Sequence, residues 1–311
     1  MKAAVFNAYT GPIEITDVAS PALTADSVLI DVHAASLNPI DNIVRAGYVK
    51  DMIPLTFPHV MGYDVSGVIT AIGADVTGFK VGDAVFARAH QEDAGSLADV
   101  ARVQASALAH KPASISHIEA ASIPLTGLTA WQALVDKAEL KADQKVLIHA
   151  GSGGVGTLAI QIAKDIGAFV ATTVSARNAD LVTALGADLV INYREQDFTD
   201  IIADYDVVFD MSGGEVMQNS FKVLKKGGHL VSIKGQDTDD LATKHGVSFD
   251  WFFMEPNGAQ LTTLADMITK GTLKPVIDST FAFADVVKAY DKLDDGHAVG
   301  KIVIDMKAGR S

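Results

Sequence analysis

The chain of 311 residues is 49% hydrophobic and 20% charged, a composition typical of a folded globular protein with one or two domains. Its formal net charge of −13 argues against a nucleic-acid partner, because binding to phosphate groups requires a basic face. The sequence has no cysteine, which excludes disulfides, thiolate catalysis and cysteine-bound zinc. No apolar run reaches the ~18 residues of a membrane span and the start lacks a signal-type apolar core, so we expect a soluble, cytoplasmic protein.

The first ~120 residues predict a β-rich region. Alternating or apolar runs separated by Gly-Pro and Ser-Pro turns predict strands at Lys2–Phe6, Ile13–Asp17, Val28–Ala34 and Val100–Val103. A short helical turn is expected after Pro39. Five glycines between residues 62 and 82 mark bends between short strands, which indicates a small, irregular barrel rather than a flat sheet.

From residue 117 the pattern changes to alternating helices and strands. A helical stretch, His117–Leu140, is interrupted at Ile123-Pro124. Five strands follow, at Val146–His149, Phe169–Val174, Leu189–Ile191, Val207–Asp210 and His229–Ile233. This alternation predicts a parallel sheet with helical crossovers. The helix before the fifth strand is expected to end in the lysine–glycine run at 225–228.

The tail continues the pattern more loosely. Its predicted elements are a helix at Ala259–Thr269, a strand at Val276–Phe281, an amphipathic helix at Phe283–Leu293 and a final strand at Gly300–Asp305.

The most informative stretch is Asp143–Lys164, where an apolar run ends in a glycine cluster that opens into a helical pattern. Gly151, Gly153 and Gly156 fit G-x-G-x-x-G. Backbone without Cβ lets a pyrophosphate approach, and the free N–H groups and positive end of the helix dipole meet it there. We therefore predict a dinucleotide-binding loop composed of Gly151, Ser152, Gly153, Gly154, Val155 and Gly156. The alternative is a turn that needs glycine only for close packing.

The region after the second strand of this sheet favours NADPH over NADH. NAD-specific domains place an acidic residue about 20 residues after the first glycine, to bind the ribose 2′-hydroxyl. Here the region carries Thr172, Thr173, Ser175 and Arg177, and the first acid is Asp180, predicted on the next helix. Hydroxyls and a guanidinium suit a 2′-phosphate. Alternatively, Arg177 begins a solvated helix face and the site is weakly selective.

Several further motifs occur in a characteristic order, with the glycine stretch among them: SLNPID, GYDVSGVITAIGADVTGFKVGDAV, IPLTGLTAW, the GAD-x-V-I-NYRE run at 186–195 and HAVGKIVI. With these motifs the chain resembles, over nearly its whole length, the zinc-free quinone oxidoreductase (ζ-crystallin-like) branch of the medium-chain dehydrogenase/reductase superfamily. The resemblance implies an α/β fold with a GroES-like β-rich catalytic domain at 1–121, completed by 268–311. It also implies a Rossmann domain with a doubly wound parallel sheet at 122–267 and an active site in the cleft. Homodimers or tetramers are common in this branch, and we predict a homodimer.

The resemblance also bears on metal binding. The zinc alcohol dehydrogenases to which the chain is similar use a cysteine near position 38, Gly-His-Glu near 62–64 and a second cysteine before the Rossmann domain. Here these places hold Asn38 and Gly62-Tyr63-Asp64. A lone histidine such as His59 is more typical of a structural residue. We predict no metal, and therefore no oxidation through a zinc-bound alkoxide.

The resemblance implies further residues around the cofactor. Tyr193 matches a position at the adenosine-phosphate end, with Arg194 beside it. Ser212 and Gly213 end the fourth strand and Ile233 and Lys234 the fifth, where ligands bind in such sheets. The remaining predicted contacts are Asn38, Thr126, Thr129 and Lys301.

Three residues are candidates for the chemistry. Asn38 is expected beside the nicotinamide, although an Asx-turn before Pro39 explains it equally well. Tyr48 and Tyr63 are candidate hydrogen-bond or proton donors, although a phenol with a pKa near 10 is a slow acid, so both also fit as pocket walls.

The predicted activity is an NADPH-dependent, zinc-independent reduction of quinones, or of the C=C bond of α,β-unsaturated carbonyl compounds, by hydride transfer. The expected partner is a small-molecule substrate, with no nucleic acid and no membrane. The alternative is an NADPH-binding sensor or structural protein with vestigial catalysis.

Overall fold

The computed structural model describes residues 1–93 and 95–309. Among these residues no helix is long and apolar enough to cross a membrane. The chain forms two compact units. The first comprises Met1–Leu128, Glu255–Lys270 and the residues from Pro275 onward, and the second comprises Thr129–Met254 and Gly271–Lys274.

The sequence-based boundaries are 121/122 and 267/268, whereas the chain changes units after Leu128 and after Met254. The later helix belongs to the first unit because its start, Gly258, packs directly on the backbone of Ser106 and Leu108. A Cβ at Gly258 would lie 2.5 Å from the Leu108 carbonyl oxygen.

The strands, in chain order, are β1 (Lys2–Phe6), β2 (Glu14–Asp17), β3 (Ser27–Ser36), β4 (His59–Val60), β5 (Asp64–Ile72), β6 (Ala84–Arg88), β7 (Val100–Gln104), β8 (Leu108–His110), β9 (Lys145–Ile148), β10 (Phe169–Val174), β11 (Leu189–Asn192), β12 (Tyr205–Asp210), β13 (Leu224–Ser232), β14 (Ser248–Trp251), β15 (Ile277–Ala282) and β16 (Lys301–Asp305).

The α-helices are α1 (Pro39–Arg45), α2 (His117–Ala121), α3 (Pro124–Trp131), α4 (Gly154–Ile166), α5 (Ala179–Ala184), α6 (Phe198–Ile201), α7 (Gly214–Ser220), α8 (Leu241–His245), α9 (Gly258–Lys270) and α10 (Val286–Asp294). The predicted break at Ile123-Pro124 separates α2 from α3, and a π-helical segment, Gln132–Lys137, continues α3.

The first unit is β-rich, as predicted. One sheet has the order β15-β16-β3-β5-β6-β8, with β7 also paired to β3, and a small sheet has the order β2-β1-β4. The tail completes the larger sheet because β16 pairs antiparallel with β3, opposing Val303 to Ser36. Its core is formed by alternate strand residues such as Ile30 and Val65, with Tyr290 from α10. This pairing places residues near 36 beside residues near 301.

The second unit is a parallel sheet with the order β11-β10-β9-β12-β13-β14. Strand β9 lies at its centre, and the order runs outward in both directions from it. This is the doubly wound arrangement that the sequence predicts, and the α/β fold class is confirmed. Its sixth strand, β14, is missing from the sequence prediction because Ser248–Trp251 is short and only partly buried.

The predicted helix end at 225–228 is wrong. Helix α7 ends at Ser220, and the lysine–glycine run lies inside β13. There it forms an irregularity, because the pairing with β12 passes from Tyr205 opposite Leu224 directly to Val207 opposite His229. A helix end and a strand bulge both use glycine at positive φ, here +74° at residue 227, so the residue types alone do not separate them.

Candidate functional site

The glycine loop follows β9 and leads into α4, as the motif predicts. A Cβ at Gly151 would lie 2.0 Å from Thr172 Oγ1, and one at Gly156 would lie 2.4 Å from the Ala150 carbonyl oxygen. These two glycines are required for close packing of strand and helix. Gly153 is different, because a Cβ there would have only the Ala150 oxygen within 4 Å, at 3.4 Å. The packing explanation therefore accounts for two of the motif's glycines, and the third keeps the outer face of the loop open.

The turns after β12 and β13 are fixed by one buried carboxylate. Asp210 accepts hydrogen bonds from the backbone N–H groups of Ser212 (2.9 Å) and Gly213 (3.0 Å), and from Ser232 Oγ (2.7 Å). Ser232 Oγ in turn accepts from the N–H of Lys234 at 3.1 Å. Two predicted cofactor segments are thus joined by a residue that the sequence analysis did not single out.

The proposed 2′-phosphate residues follow paired strand ends. Val174 of β10 lies opposite Asn192 of β11, so Ser175 and Tyr193 leave the sheet side by side. Ser175 is buried and Arg177 is exposed. The guanidinium of Arg194, beside Tyr193, lies 5.9 Å from the centroid of that tyrosine ring.

A second connection ties this region to the glycine loop. The side-chain amide of Asn178 donates to Ser152 Oγ at 2.9 Å. The two turns after β9 and β10 are therefore held together by side chains as well as by the sheet. Asn178 is another residue that the sequence analysis did not identify.

A cavity of about 680 Å³ opens at this edge of the parallel sheet. Its walls come from the ends of four neighbouring strands, at His149, Thr173, Tyr193 and Ser212, and from the start of α7 at Glu215. The volume is that of a small-molecule or cofactor pocket. Carboxyl ends of strands in an open parallel sheet are where such ligands bind.

His149 forms the floor of the cavity and is neutral. Its Nδ1 is 3.0 Å from Thr173 Oγ1 and its Nε2 is 2.9 Å from Ser220 Oγ. Because Ser220 donates its own proton to the Val216 carbonyl, His149 Nε2–H is the donor in the second contact. Burial lowers the pKa of His149 to about 4, so the ring carries no charge at neutral pH.

In the first unit the structure brings Asn38 and Lys301 together. Asn38 lies between β3 and α1, is fully buried, and donates from Nδ2 to Asp64 Oδ2 at 2.9 Å. The ammonium of Lys301 donates to Asn38 Oδ1 and to the Leu37 carbonyl, both at 2.5 Å, and lies 3.8 Å from Asp64. The orientation of the Asn38 amide is therefore fixed from both ends.

Two buried carboxyl groups support this arrangement. Asp64 also accepts from Ser36 Oγ (3.0 Å) and the N–H of Leu125 (2.9 Å). Burial raises its pKa and lowers that of Lys301, and the opposite charge of each partner works against these shifts. Asp41 accepts from the backbone N–H of Asn38, and burial raises its pKa to about 7.

Tyr63 is buried beside a cation. Its hydroxyl accepts a hydrogen bond from Gln91 Nε2 at 2.5 Å, and the Arg88 guanidinium lies 4.6 Å from the ring centroid. Burial raises the pKa of Tyr63 to about 12, which favours hydrogen-bond donation over proton transfer.

Tyr48, Thr126 and Thr129 are the remaining predicted residues, and they differ in exposure. Tyr48 is 84% exposed, in the turn after α1. Thr126 is buried and donates to the Ser122 carbonyl of its own chain segment at 3.0 Å, and Thr129 is buried as well.

Comparisons with known proteins give the following findings. Residues 24–113 match the model of the alcohol dehydrogenase GroES-like domain, and residues 185–304 match a model described as zinc-binding dehydrogenase. The chain is 38% identical to 2-methylene-furan-3-one reductase of Solanum lycopersicum and 37% identical to the NADPH-dependent alkenal/one oxidoreductase, chloroplastic, of Arabidopsis thaliana. Each alignment covers 98% of this chain and 79% of the relative. The solved quinone oxidoreductase of Coxiella burnetii is 36% identical with a TM-score of 0.90, over 98% of this chain and 99% of that one.

The residues present do not fit a zinc ion. The positions compared with zinc ligands hold an amide (Asn38), a phenol (Tyr63) and a carboxylate (Asp64), without a cysteine in the sequence. The carboxylate is already opposite the Lys301 ammonium, whose positive charge opposes a nearby dication.

The second unit, by contrast, fits a dinucleotide. It combines the open face at Gly153, the start of a 13-residue helix and the cavity at the strand ends. The helix start offers a partial positive charge, and Ser175 and Arg177 are the predicted hydroxyl and guanidinium contacts to a phosphate.

Proposed function

This chain belongs to the branch of quinone and alkenal/one oxidoreductases in the medium-chain dehydrogenase/reductase superfamily, and from that premise we propose that it reduces quinones or the C=C bond of α,β-unsaturated carbonyl compounds with NADPH. The observation that carries the proposal is the open glycine loop at Gly153, at the start of α4. Likeness to enone-reducing relatives over 98% of the chain supports the choice of substrate.

We assign cofactor binding mainly to the second unit. The loop from Gly151 to Gly156 and the first turn of α4 would bind the pyrophosphate. Ser175 and Arg177, with Tyr193 at the adjacent strand end, would bind the 2′-phosphate. Ser212, Gly213, Ile233 and Lys234 would contact the nicotinamide half. Asn38, Thr126, Thr129 and Lys301 are the other proposed cofactor contacts. Bound NADPH supplies a hydride, and the protein supplies orientation and charge.

Asn38 is the proposed orienting group for the nicotinamide. With Nδ2 donating to Asp64 and Oδ1 accepting from Lys301, the amide keeps one N–H and one lone pair for a ligand. A pre-positioned group of this kind contributes to rate by holding the reactants in a productive geometry. Tyr48 and Tyr63 remain the proposed hydrogen-bond donors to the acceptor.

The reaction is proposed to be independent of zinc, because Lys301 provides a fixed cation beside Asp64. The test is initial-rate oxidation of NADPH, with NADH in parallel, against 1,4-benzoquinone, 9,10-phenanthrenequinone and a short alkenone. We expect turnover that neither EDTA nor added Zn²⁺ changes. Absence of turnover on every acceptor, with NADPH still bound, would contradict the proposal and favour the sensing or structural alternative.

Cofactor preference is tested separately, with the Arg177→Ala and Ser175→Ala variants. Loss of a charge-assisted phosphate contact is expected to raise the KM for NADPH about tenfold, equivalent to about 1.4 kcal/mol. The KM for NADH is the matched control and should change less than twofold. An equal rise in the KM for both cofactors would show that these residues do not recognise the 2′-phosphate.

A cytoplasmic location and a homodimer remain predictions. Relatives of this chain include proteins named chloroplastic, so fractionation of the source cells is the appropriate measurement for the first. Sedimentation equilibrium of the holoenzyme tests the second, with a mass twice the 32.7 kDa of the chain expected.

A further inference from the structure

Arg88 is a buried cation that makes few hydrogen bonds. It ends β6, is 8% exposed, and donates from one terminal nitrogen to the Ala89 carbonyl at 2.7 Å. Its Nε is buried and has no hydrogen-bond partner among the residues that the structure describes. A buried N–H group without an acceptor is costly, so the unpaired Nε calls for a bound partner.

The side chain next to Arg88 is Tyr63, a second buried hydrogen-bond donor. The guanidinium lies 4.6 Å from the ring centroid of Tyr63, whose hydroxyl accepts from Gln91 and so keeps its own proton for another acceptor. The guanidinium over the ring and the hydroxyl at the ring edge therefore place two hydrogen-bond donor groups beside one another.

The position of Arg88 connects this pair with the Asn38 cluster. Strand β6 pairs with β5 so that Arg88 lies directly opposite Asp64. Residues opposite each other in an antiparallel pair project from the same face of the sheet. Arg88 therefore lies on the face that carries Asp64, the partner of Asn38 and Lys301.

The charges facing Arg88 leave it without a dedicated counterion. Asp64 is already opposite Lys301, and the remaining carboxyl groups near Arg88 are Asp41 and the exposed Glu92. Because burial raises the pKa of Asp41 to about 7, that carboxyl is partly neutral at physiological pH. The buried carboxyl groups of Asp64 and Asp41 are therefore shared between two cations, Lys301 and Arg88.

We propose that Arg88 and Tyr63 form an oxyanion site, which binds the carbonyl oxygen of the acceptor and stabilises the negative charge that this oxygen gains during reduction. The inference rests on the proposed function. In an enone, the hydride forms a C–H bond at the β-carbon while the C=C pair moves toward the carbonyl and leaves an enolate oxygen. A proton from water later adds at the α-carbon. In a quinone, the hydride forms an O–H bond at the other carbonyl oxygen, the ring electrons shift, and the bound oxygen carries the negative charge of the hydroquinone monoanion until a proton from water adds to it. Donors placed where charge develops are effective in such steps.

The first test compares Arg88→Met, which keeps an unbranched chain against the Tyr63 ring, with the wild-type holoenzyme. We expect kcat/KM for 1,4-benzoquinone and for a short alkenone to fall about 100-fold. The NADPH Kd should stay within twofold of the wild-type value. Guanidinium chloride at tens of millimolar should restore at least part of the lost rate, whereas NaCl at the same ionic strength should not. A parallel loss of thermal stability and NADPH affinity without guanidinium rescue would overturn the proposal.

The second test does not depend on turnover. 4-Nitrophenol absorbs near 400 nm only as the phenolate, so its ionisation can be titrated while it is bound to the NADP⁺ complex. An oxyanion site should lower the pKa of the bound phenol in the wild type, and Arg88→Met should abolish the shift. If the pKa of the bound phenol is unchanged while quinone turnover is normal, the oxyanion site is overturned and the proposed function stands. A lowered phenol pKa without turnover supports the site and contradicts the function.

Discussion

At the scale of single residues, the first unit contains a buried ion pair. Lys301 and Asp64 are nearly inaccessible to solvent, and both bind the Asn38 amide. A surface ion pair in the same unit offers a comparison, because Lys307 lies 2.6 Å from Asp31 with both side chains about 41% exposed. The two pairs have the same chemistry and differ in solvation.

We predict that Lys301→Met lowers the free energy of unfolding by about 3–5 kcal/mol, because the Asp64 carboxylate would remain buried without its cation. The matched control, Lys307→Met, should cost about 0–1 kcal/mol because water screens the exposed pair. Urea unfolding of both variants is the measurement. Similar small losses in the two variants would show that Asp64 does not depend on Lys301.

At the scale of elements, different glycines of the loop serve packing and binding. Gly156 lies under the Ala150 and Gly151 backbone. A Cβ at Gly153 would meet only the Ala150 oxygen, at 3.4 Å, and its φ of −76° is one that any residue adopts. The three glycines of the motif therefore have different structural roles, although the sequence pattern does not distinguish between them.

We predict that Gly156→Ala destabilises the cofactor-free protein by about 1–3 kcal/mol, because a Cβ 2.4 Å from a backbone oxygen forces the strand and helix apart. Gly153→Ala should leave the thermal midpoint within about 2 °C, consistent with a change below about 0.5 kcal/mol, yet weaken NADPH binding at least tenfold. Thermal unfolding without cofactor and fluorescence titration with NADPH distinguish the two. Equal loss of stability in both variants would contradict the division of roles.

At the scale of the whole molecule, stability depends on neutral histidines in both units. Burial lowers the pKa of His59, His117 and His149 to about 4. The unfolded chain binds a proton at each of these positions below pH ~6.5, and the folded chain does not, so acidification from 6.5 toward 4 favours unfolding. Asp41 acts in the opposite direction, since its raised pKa lets the folded state bind a proton first between pH 7 and 4.

We predict that His149→Gln, which has no group titrating in this range, makes the pH dependence of stability shallower. As the pH falls from 7 to 4, the free energy of unfolding of the wild type should fall relative to that of the variant by up to about 3 kcal/mol. The reason is that only the wild type must release a proton from this position when it folds. Thermal or urea unfolding at a series of pH values measures it. Parallel profiles for the two proteins would show that His149 is not held neutral in the fold.

Local patterns were sufficient to predict much of this protein. The strand–helix alternation from residue 145 onward, the break before Pro124 and the loop Gly151–Gly156 all depend on neighbours within a few positions, so the sequence expresses them directly. The bulge at 225–228 and strand β14 were not predictable in this way, because glycine at positive φ and a short polar strand acquire their meaning from the strand beside them.

The sequence by itself determined the fold class, the glycine loop between β9 and α4 and the family, since each is set by the order and spacing of residues along the chain. Only the tertiary structure decided that Asn38 meets Lys301 across 263 positions, that Asp64 joins them, and that Arg88 lies beside Tyr63 with its Nε unpaired among the described residues. These arrangements depend on which strands pair and on how deeply the charges are buried. Burial in turn sets the pKa values, through the free energy of removing a charge from water.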